Sequence, residues 1–396
     1  LMNHAIKVKD DIYWVGVNDR KTDLFESLWP LPRGVAYNAY LINDEKVALI
    51  DTVKAPFEMD YLQNIQKVIG PDRRVDYLII NHMEPDHSGA IQFLTRIFPD
   101  ITIVGNKKTM EFLKDFYGVI HNTLIIEDGQ SLSLGSRTLQ FHITPMVHWP
   151  ETMMTYEGKS GMLFSGDAFG GFGTLDGGVF DDELDMDYFE DEMLRYFSNI
   201  VGKYSMMVLK AIDKVKHLDI QVIGATHGPI LRKNPGIIIE RYAKWSRQET
   251  EKGVVIVFGS MYGNTEKMAE RIARSLAVQG VEKVIIHDIS RTHISYIIRD
   301  LWRYRGIILG SCTYNMKLFP PMEQLIGILE NDAMKNHVLG IFGGYSWSGG
   351  GVKRLKEFAV NAKWETLEPV IEAKCSPSES DLEQCDHLGE EIAKAL

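Results

Sequence analysis

The sequence predicts an α/β protein of two unlike domains: an αββα sandwich over residues 1–250 and a doubly wound parallel sheet over residues 251–396. Three observations carry this. At 396 residues the chain exceeds what one typical core encloses. Its first part mixes hairpins with βα units, and its second part alternates strand and helix without interruption. In order, residues 37–42 and 47–51 read as strands around the polar turn 43–46, and residues 57–69 carry helical spacing. Residues 77–81 form a buried-strand run and residues 90–98 a helix, with further strands over 141–147, 162–166 and 221–226. The helical stretch 237–248 gives way to a polar, Gly-containing link at 251–253, which marks the boundary. Strands over 254–258, 283–287, 306–310 and 337–342 then alternate with helices over 265–276, 294–304, 322–329, 352–360 and 381–395. That rhythm argues for a parallel sheet of about five strands.

Composition narrows the function classes. Hydrophobic residues at 45% and charged residues at 24% exclude a disordered or fibrous chain. No apolar run approaches the roughly 18 residues of a membrane span, and the amino terminus lacks the order of a secretion signal. A cytoplasmic protein without a membrane partner is expected. The net charge of -11 argues against nucleic acid as a partner. Cys312, Cys375 and Cys385 are odd in number and form no CxxC pair. No disulfide framework or thiolate-bound metal centre follows from them, so a Cys-ligated electron relay has to be another protein. Cys312 is expected as a small core residue.

Seven candidate metal ligands follow apolar runs: His82, Glu84, Asp86 and His87, then His148, Asp167 and His227. Loops at strand ends are where α/β scaffolds place chemistry. Carboxylates beside a buried strand end are costly unless paired, and a pair of metal ions removes that cost. Mixed imidazole and carboxylate ligands without sulfur suit iron, manganese or zinc. Three carboxylates and a bridging hydroxide balance two divalent ions, which favours a redox metal. The isolated His121, His142, His217, His287, His293, His337 and His387 are expected as hydrogen-bonded core residues.

At these positions the chain resembles the metallo-β-lactamase superfamily, whose hydrolases read HxHxDH at this turn, except that Glu84 stands where the second His is expected. That replacement, followed by His148, Asp167 and His227, resembles the flavodiiron proteins over essentially the whole chain. The resemblance implies a metallo-β-lactamase-like diiron domain fused to a flavodoxin-like FMN domain. It implies His82, Glu84 and His148 on one iron, Asp86, His87 and His227 on the other, and Asp167 bridging. In that family the His at the position of His87 is not always bound to metal. Trp149 and Pro150, in the family's HWP pattern, are expected to wall the pocket, and Tyr196 to donate a hydrogen bond or proton near the metals. The acidic segment 181–192 is expected to be a solvated surface.

The second half carries a phosphate cradle at Ser260, Met261, Tyr262, Gly263, Asn264 and Thr265, between its first strand and first helix. The GK[ST] ending of a nucleotide P-loop is missing, so a monophosphate fits better than a triphosphate. Ser311, Thr313, Tyr314 and Asn315 follow the third strand, and Gly343, Gly344, Tyr345, Trp347 and Gly349 the fourth. Glycines admit a flat ring and the aromatics can stack on it, similar to the flavodoxin pattern for FMN. Lys317, Lys353 and Arg354 near these loops read as a charged solvent face.

A dimetal pocket joined to FMN makes sense if electrons enter at flavin and leave at iron. Reducing dioxygen to water takes four electrons, matched by a diferrous pair and a reduced flavin, and reducing two nitric oxide molecules to nitrous oxide takes two. The expected function is therefore oxygen reductase, nitric oxide reductase, or both. The electron donor is external: a rubredoxin, a flavin reductase or a deazaflavin. The resemblance also implies a head-to-tail homodimer or a dimer of dimers. The alternatives are a dizinc hydrolase with an appended flavin module, against which Glu84 stands, and a bare electron carrier, against which seven intact ligand positions stand.

Overall fold

The computed structural model describes residues 5–396, which cluster into two compact units, one ending at Ser246 and the other beginning at Arg247. In the first, a seven-stranded sheet runs in spatial order β1 (Ile6–Lys9), β2 (Ile12–Trp14), β3 (Tyr40–Asn43), β4 (Val47–Ile50), β5 (Tyr77–Ile79), β6 (Thr102–Gly105) and β7 (Thr123–Ile125). β1 to β4 are antiparallel neighbours, whereas β4 to β7 run parallel. A second sheet of five strands follows: β8 (Ser131–Ser133), β9 (Thr138–Ile143), β10 (Met153–Glu157), β11 (Met162–Gly166) and β12 (Val222–Ala225). Ile42, Ala48, Ile50, Ile79 and Val104 from the first sheet share one buried core with Phe141, Met153, Met162, Phe164 and Val222 from the second. The αββα expectation is met: every second residue of a strand turns to the facing sheet.

Helices α1 (Glu58–Ile69), α2 (Pro85–Ser88), α3 (Ile91–Ile97) and α4 (Lys107–Tyr117) belong to the first half of this unit, and α5 (Met186–Tyr196), α6 (Ser205–Val215) and α7 (Pro235–Ser246) to the second. α1 buries Tyr61, Leu62, Ile65 and Ile69, one stripe at helical spacing. α4 is capped by Asn106, whose side-chain oxygen accepts from the Lys108 and Thr109 amides.

The second unit is built on β13 (Glu251–Gly259), β14 (Val284–Asp288), β15 (Tyr304–Tyr314), β16 (Val338–Tyr345) and β17 (Ile371–Lys374), in spatial order β14, β13, β15, β16, β17 and all parallel. The helices are α8 (Asn264–Val278), α9 (Ile294–Arg303), α10 (Pro320–Asp332), α11 (Gly351–Ala362) and α12 (Glu379–Ala395). The strand order reverses between β13 and β15, the crevice where such sheets bind ligands.

Several expectations need correction. The strand expected over 37–42 breaks at Asn38, whose amide side chain accepts from Trp14 Nε1 and donates to the Ala225 and Gly228 carbonyls. Val35–Tyr37 pairs instead with Val17–Asp19. The strand expected over 141–147 stops at Ile143, because the Thr152 hydroxyl stitches Thr144 and Val147 into a loop. The segment 181–192 is not all solvated surface: α5 buries Phe189, and Glu192 forms a buried ion pair with Arg195. Of the isolated histidines only His142 and His337 are buried. His287 pairs with Asp300, His293 caps α9, and His121, His217 and His387 are exposed. Cys312 is half-buried rather than a core residue.

Candidate metal centre and cofactor cradle

β5, β11 and β12 end at the same edge of the sandwich, and the residues that follow them converge. The seven candidate ligands fall into two groups: His82, Glu84, His148 and Asp167, and Asp86, His87 and His227. Nε2 of His82 lies 3.1 Å from Glu84 Oε2, and Nε2 of His148 lies 3.1 Å from both Glu84 Oε2 and Asp167 Oδ2. In the second group His87 Nε2 lies 3.2 Å from Asp86 Oδ2 and 3.0 Å from His227 Nε2. Asp167 addresses both groups, with Oδ2 3.4 Å from His82 Nε2 and Oδ1 3.1 Å from His87 Nε2.

These spacings fit metal ions. Ligands at about 2.0–2.2 Å around an ion lie about 3.0–3.5 Å from one another. Burial opposes charge on His148 and His87, yet Asp167 beside the first and Asp86 beside the second carry these imidazoles up to about 9 and about 10. The field of the pocket therefore demands positive charge, which metal ions supply.

Neighbouring groups hold this arrangement. Tyr196 donates from its hydroxyl to Asp167 Oδ2 at 2.8 Å, and the Thr226 hydroxyl donates to Oδ1 at 2.5 Å. Burial first, and then the Asp167 charge, push the Tyr196 hydroxyl well above the usual phenol value, so it stays a donor. Phe25 packs edge-on against His227, Tyr196 and Phe172, closing one side. Trp149 is half-buried with its ring edge-on to His82 at 5.3 Å, whereas Pro150 is exposed and does not share that packing.

Sequence reasoning missed Glu151, Asp51 and Thr226. Glu151 is fully buried, and its Oε1 accepts from His82 Nδ1 and from the Met83 amide, both at 2.8 Å. Asp51, at the end of β4, accepts from the Asn81 amide at 2.8 Å and the His82 amide at 3.3 Å, and burial pushes its carboxyl up to about 6. The one available signal for Glu151 was a carboxylate placed directly after His148, Trp149 and Pro150.

In the second unit Gly259, Ser311 and Gly343 stand side by side across β13, β15 and β16, so the three predicted segments share one edge. Ser311 to Tyr314 and Gly343 to Tyr345 lie in the extended strand ends rather than in loops beyond them. Gly263 is the left-handed N-cap of α8 at φ 86 and carries no capping side chain, leaving first-turn amides for an anion. The Ser260 hydroxyl accepts from the Gly263 amide, and Thr265 is buried behind it. Asn264 starts α8, Thr313 accepts from the Gly351 amide, and Met261, Tyr314, Asn315 and Gly349 are exposed. Tyr262 and Trp347 are 90% and 77% exposed, free to meet a planar ligand, with Tyr345 half-buried beside Gly344. Among the flanking charges, Arg354 pairs with Glu323 and Glu330 while Lys317 and Lys353 remain exposed.

Residues 35–228 match the family model described as ODP family beta lactamase, and residues 256–389 match the flavodoxin model. A nitric oxide reductase of Moorella thermoacetica is 36% identical over 400 residues, spanning 100% of both chains. The flavodiiron protein of Giardia intestinalis superposes with a TM-score of 0.93 at 28% identity, over 98% of this chain and 96% of that one. The chain belongs to the flavodiiron protein family. A further relative, the anaerobic nitric oxide reductase flavorubredoxin of Escherichia coli, is 33% identical over 98% of this chain and 82% of its own length. The rubredoxin oxygen:oxidoreductase of Desulfovibrio gigas superposes with a TM-score of 0.94 at 30% identity, over 99% of this chain and 98% of that one. As a flavodiiron protein the chain is an oxidoreductase, with FMN in its flavodoxin domain and a diiron site in its lactamase-like domain. No helix among the described residues is long and apolar enough to cross a membrane.

Proposed function

We propose that this flavodiiron oxidoreductase reduces dioxygen to water, nitric oxide to nitrous oxide, or both, with His82, Glu84 and His148 holding one iron, Asp86, His87 and His227 the other, and Asp167 bridging. The observation that carries this reading is the split of the Asp167 carboxylate, one oxygen toward each histidine group. When bound, two irons offer open coordination for a diatomic gas and the electrons to reduce it, and FMN restores those electrons. The chain's own residues do the rest. Asp167 fixes the spacing of the two half-sites, and Tyr196 and Thr226 hold its two oxygens. Phe25 and Trp149 place apolar rings against the ligand imidazoles and keep water from them.

The donor set also fits zinc, but the Moorella thermoacetica and Escherichia coli relatives are named as nitric oxide reductases, and Glu84 replaces the imidazole that hydrolases place at this turn. The test is gas consumption at an electrode by the chemically reduced protein. Wild type should consume nitric oxide or dioxygen, and Glu84→Ala should abolish turnover while FMN stays bound. Undiminished turnover in Glu84→Ala sinks the ligand assignment.

The electron donor we propose is a rubredoxin, a flavin reductase or a deazaflavin; the three cysteines described here are free thiols. Free thiols also suit the reducing cytoplasm. A head-to-tail homodimer, or a dimer of dimers, is the expected assembly. Full turnover by a diluted monomer would count against an active site shared between chains.

A further inference from the structure

The two half-sites are backed unequally. In the second, His227 Nδ1 donates to the Ala36 backbone carbonyl at 2.8 Å, and His87 Nδ1 is buried without a hydrogen-bonding partner. In the first, His82 Nδ1 donates at 2.8 Å to Oε1 of Glu151, which is buried along with it. Glu151 is itself anchored. Its backbone carbonyl accepts from Asn106 Nδ2, and the other end of that amide caps α4. Its Oε1 also accepts from the Met83 amide, inside the turn that carries Glu84. Among the described residues its second oxygen, Oε2, is buried without a hydrogen-bonding partner. A carboxylate behind a ligand imidazole fixes the tautomer with Nε2 free for metal, orients the ring and raises its basicity.

We infer that Glu151 is a positioning residue that makes the half-sites unequal, so that the His82, Glu84 and His148 side holds metal more tightly and the Asp86, His87 and His227 side empties first. This rests on the ligand assignment proposed above. Removing such a backing carboxylate costs about 10–100-fold in metal affinity, and here the loss falls on one half-site alone.

The test isolates each half-site and uses Co(II) alone as a spectroscopic probe, titrated anaerobically into metal-free full-length protein. Asp86→Ala leaves the first half-site, and Glu84→Ala leaves the second. Adding Glu151→Gln should weaken Co(II) binding about 10–100-fold in the Asp86→Ala background and leave it unchanged in the Glu84→Ala background. Glu151→Asp, which keeps the charge, should recover part of the loss. FMN content and far-UV circular dichroism report folding separately from metal. An equal loss in both backgrounds, or none in either, overturns the inference. Absence of Co(II) binding in both parent variants overturns the ligand assignment, and the inference with it.

Discussion

Nε2 of His87 lies 3.0 Å from Nε2 of His227, with both rings fully buried. Two bare lone pairs repel at that distance, so a proton or a metal ion has to satisfy them. His87 therefore points into the site.

Metal removal should destabilise the first domain. A metal present at 1,000 times its dissociation constant stabilises by about 4 kcal/mol, so chelated protein should melt several degrees lower by calorimetry and recover on adding Fe(II). Identical melting with and without chelator would show that these side chains hold no metal.

Tyr196→Phe removes one hydrogen bond to Asp167 but keeps the ring that packs on Phe25, Phe172 and His227. A buried hydrogen bond to a charged group contributes about 1.5–3 kcal/mol. The variant should keep both irons and lose roughly tenfold or more in turnover. Wild-type turnover with unchanged iron spectra would remove Tyr196 from the reaction.

His337 offers a pH signature away from the metals. Burial depresses its imidazole to about 4, and its Nδ1 donates to the Tyr304 carbonyl. The unfolded chain takes up the proton near the ordinary value of about 6.5, so this contribution to stability is complete above that pH and is lost as pH falls to about 4. The loss amounts to about 3 kcal/mol. Urea midpoints of the flavin domain followed across that window should fall less steeply in His337→Asn than in wild type. Parallel curves would mean that His337 is not buried neutral.

Gly263 caps α8 at φ 86, where an L side chain costs about 1–2 kcal/mol. Gly263→Ala should weaken FMN binding about 5–30-fold in fluorescence titrations. Gly280→Ala, at φ 81 beyond the far end of the same helix, carries similar strain and should leave FMN affinity intact. Equal losses would argue for general destabilisation instead of a phosphate cradle.

Much of this was legible in the sequence, for identifiable reasons. His82, Asp167 and His227 follow short apolar strands, and a strand end fixes the position of what comes next. The βα rhythm of the second half located four of the five longer parallel strands of its seven-stranded sheet. The fifth, Ile371–Lys374, turns only Ile371 and Ala373 inward, too short an alternation to register. Glu151 escaped because its role depends on meeting His82, 69 positions away in sequence, which no local pattern encodes. Asn38 escaped because an amide that bonds a distant indole and two distant carbonyls breaks a strand without any turn signal.

The measurement that tests the central claim most directly is the metal and flavin content of protein purified without added metal. Two irons and one FMN per chain are predicted, with iron falling and FMN unchanged in Asp167→Ala. Two zincs per chain, with turnover not restored by exchange for iron, would contradict the reductase.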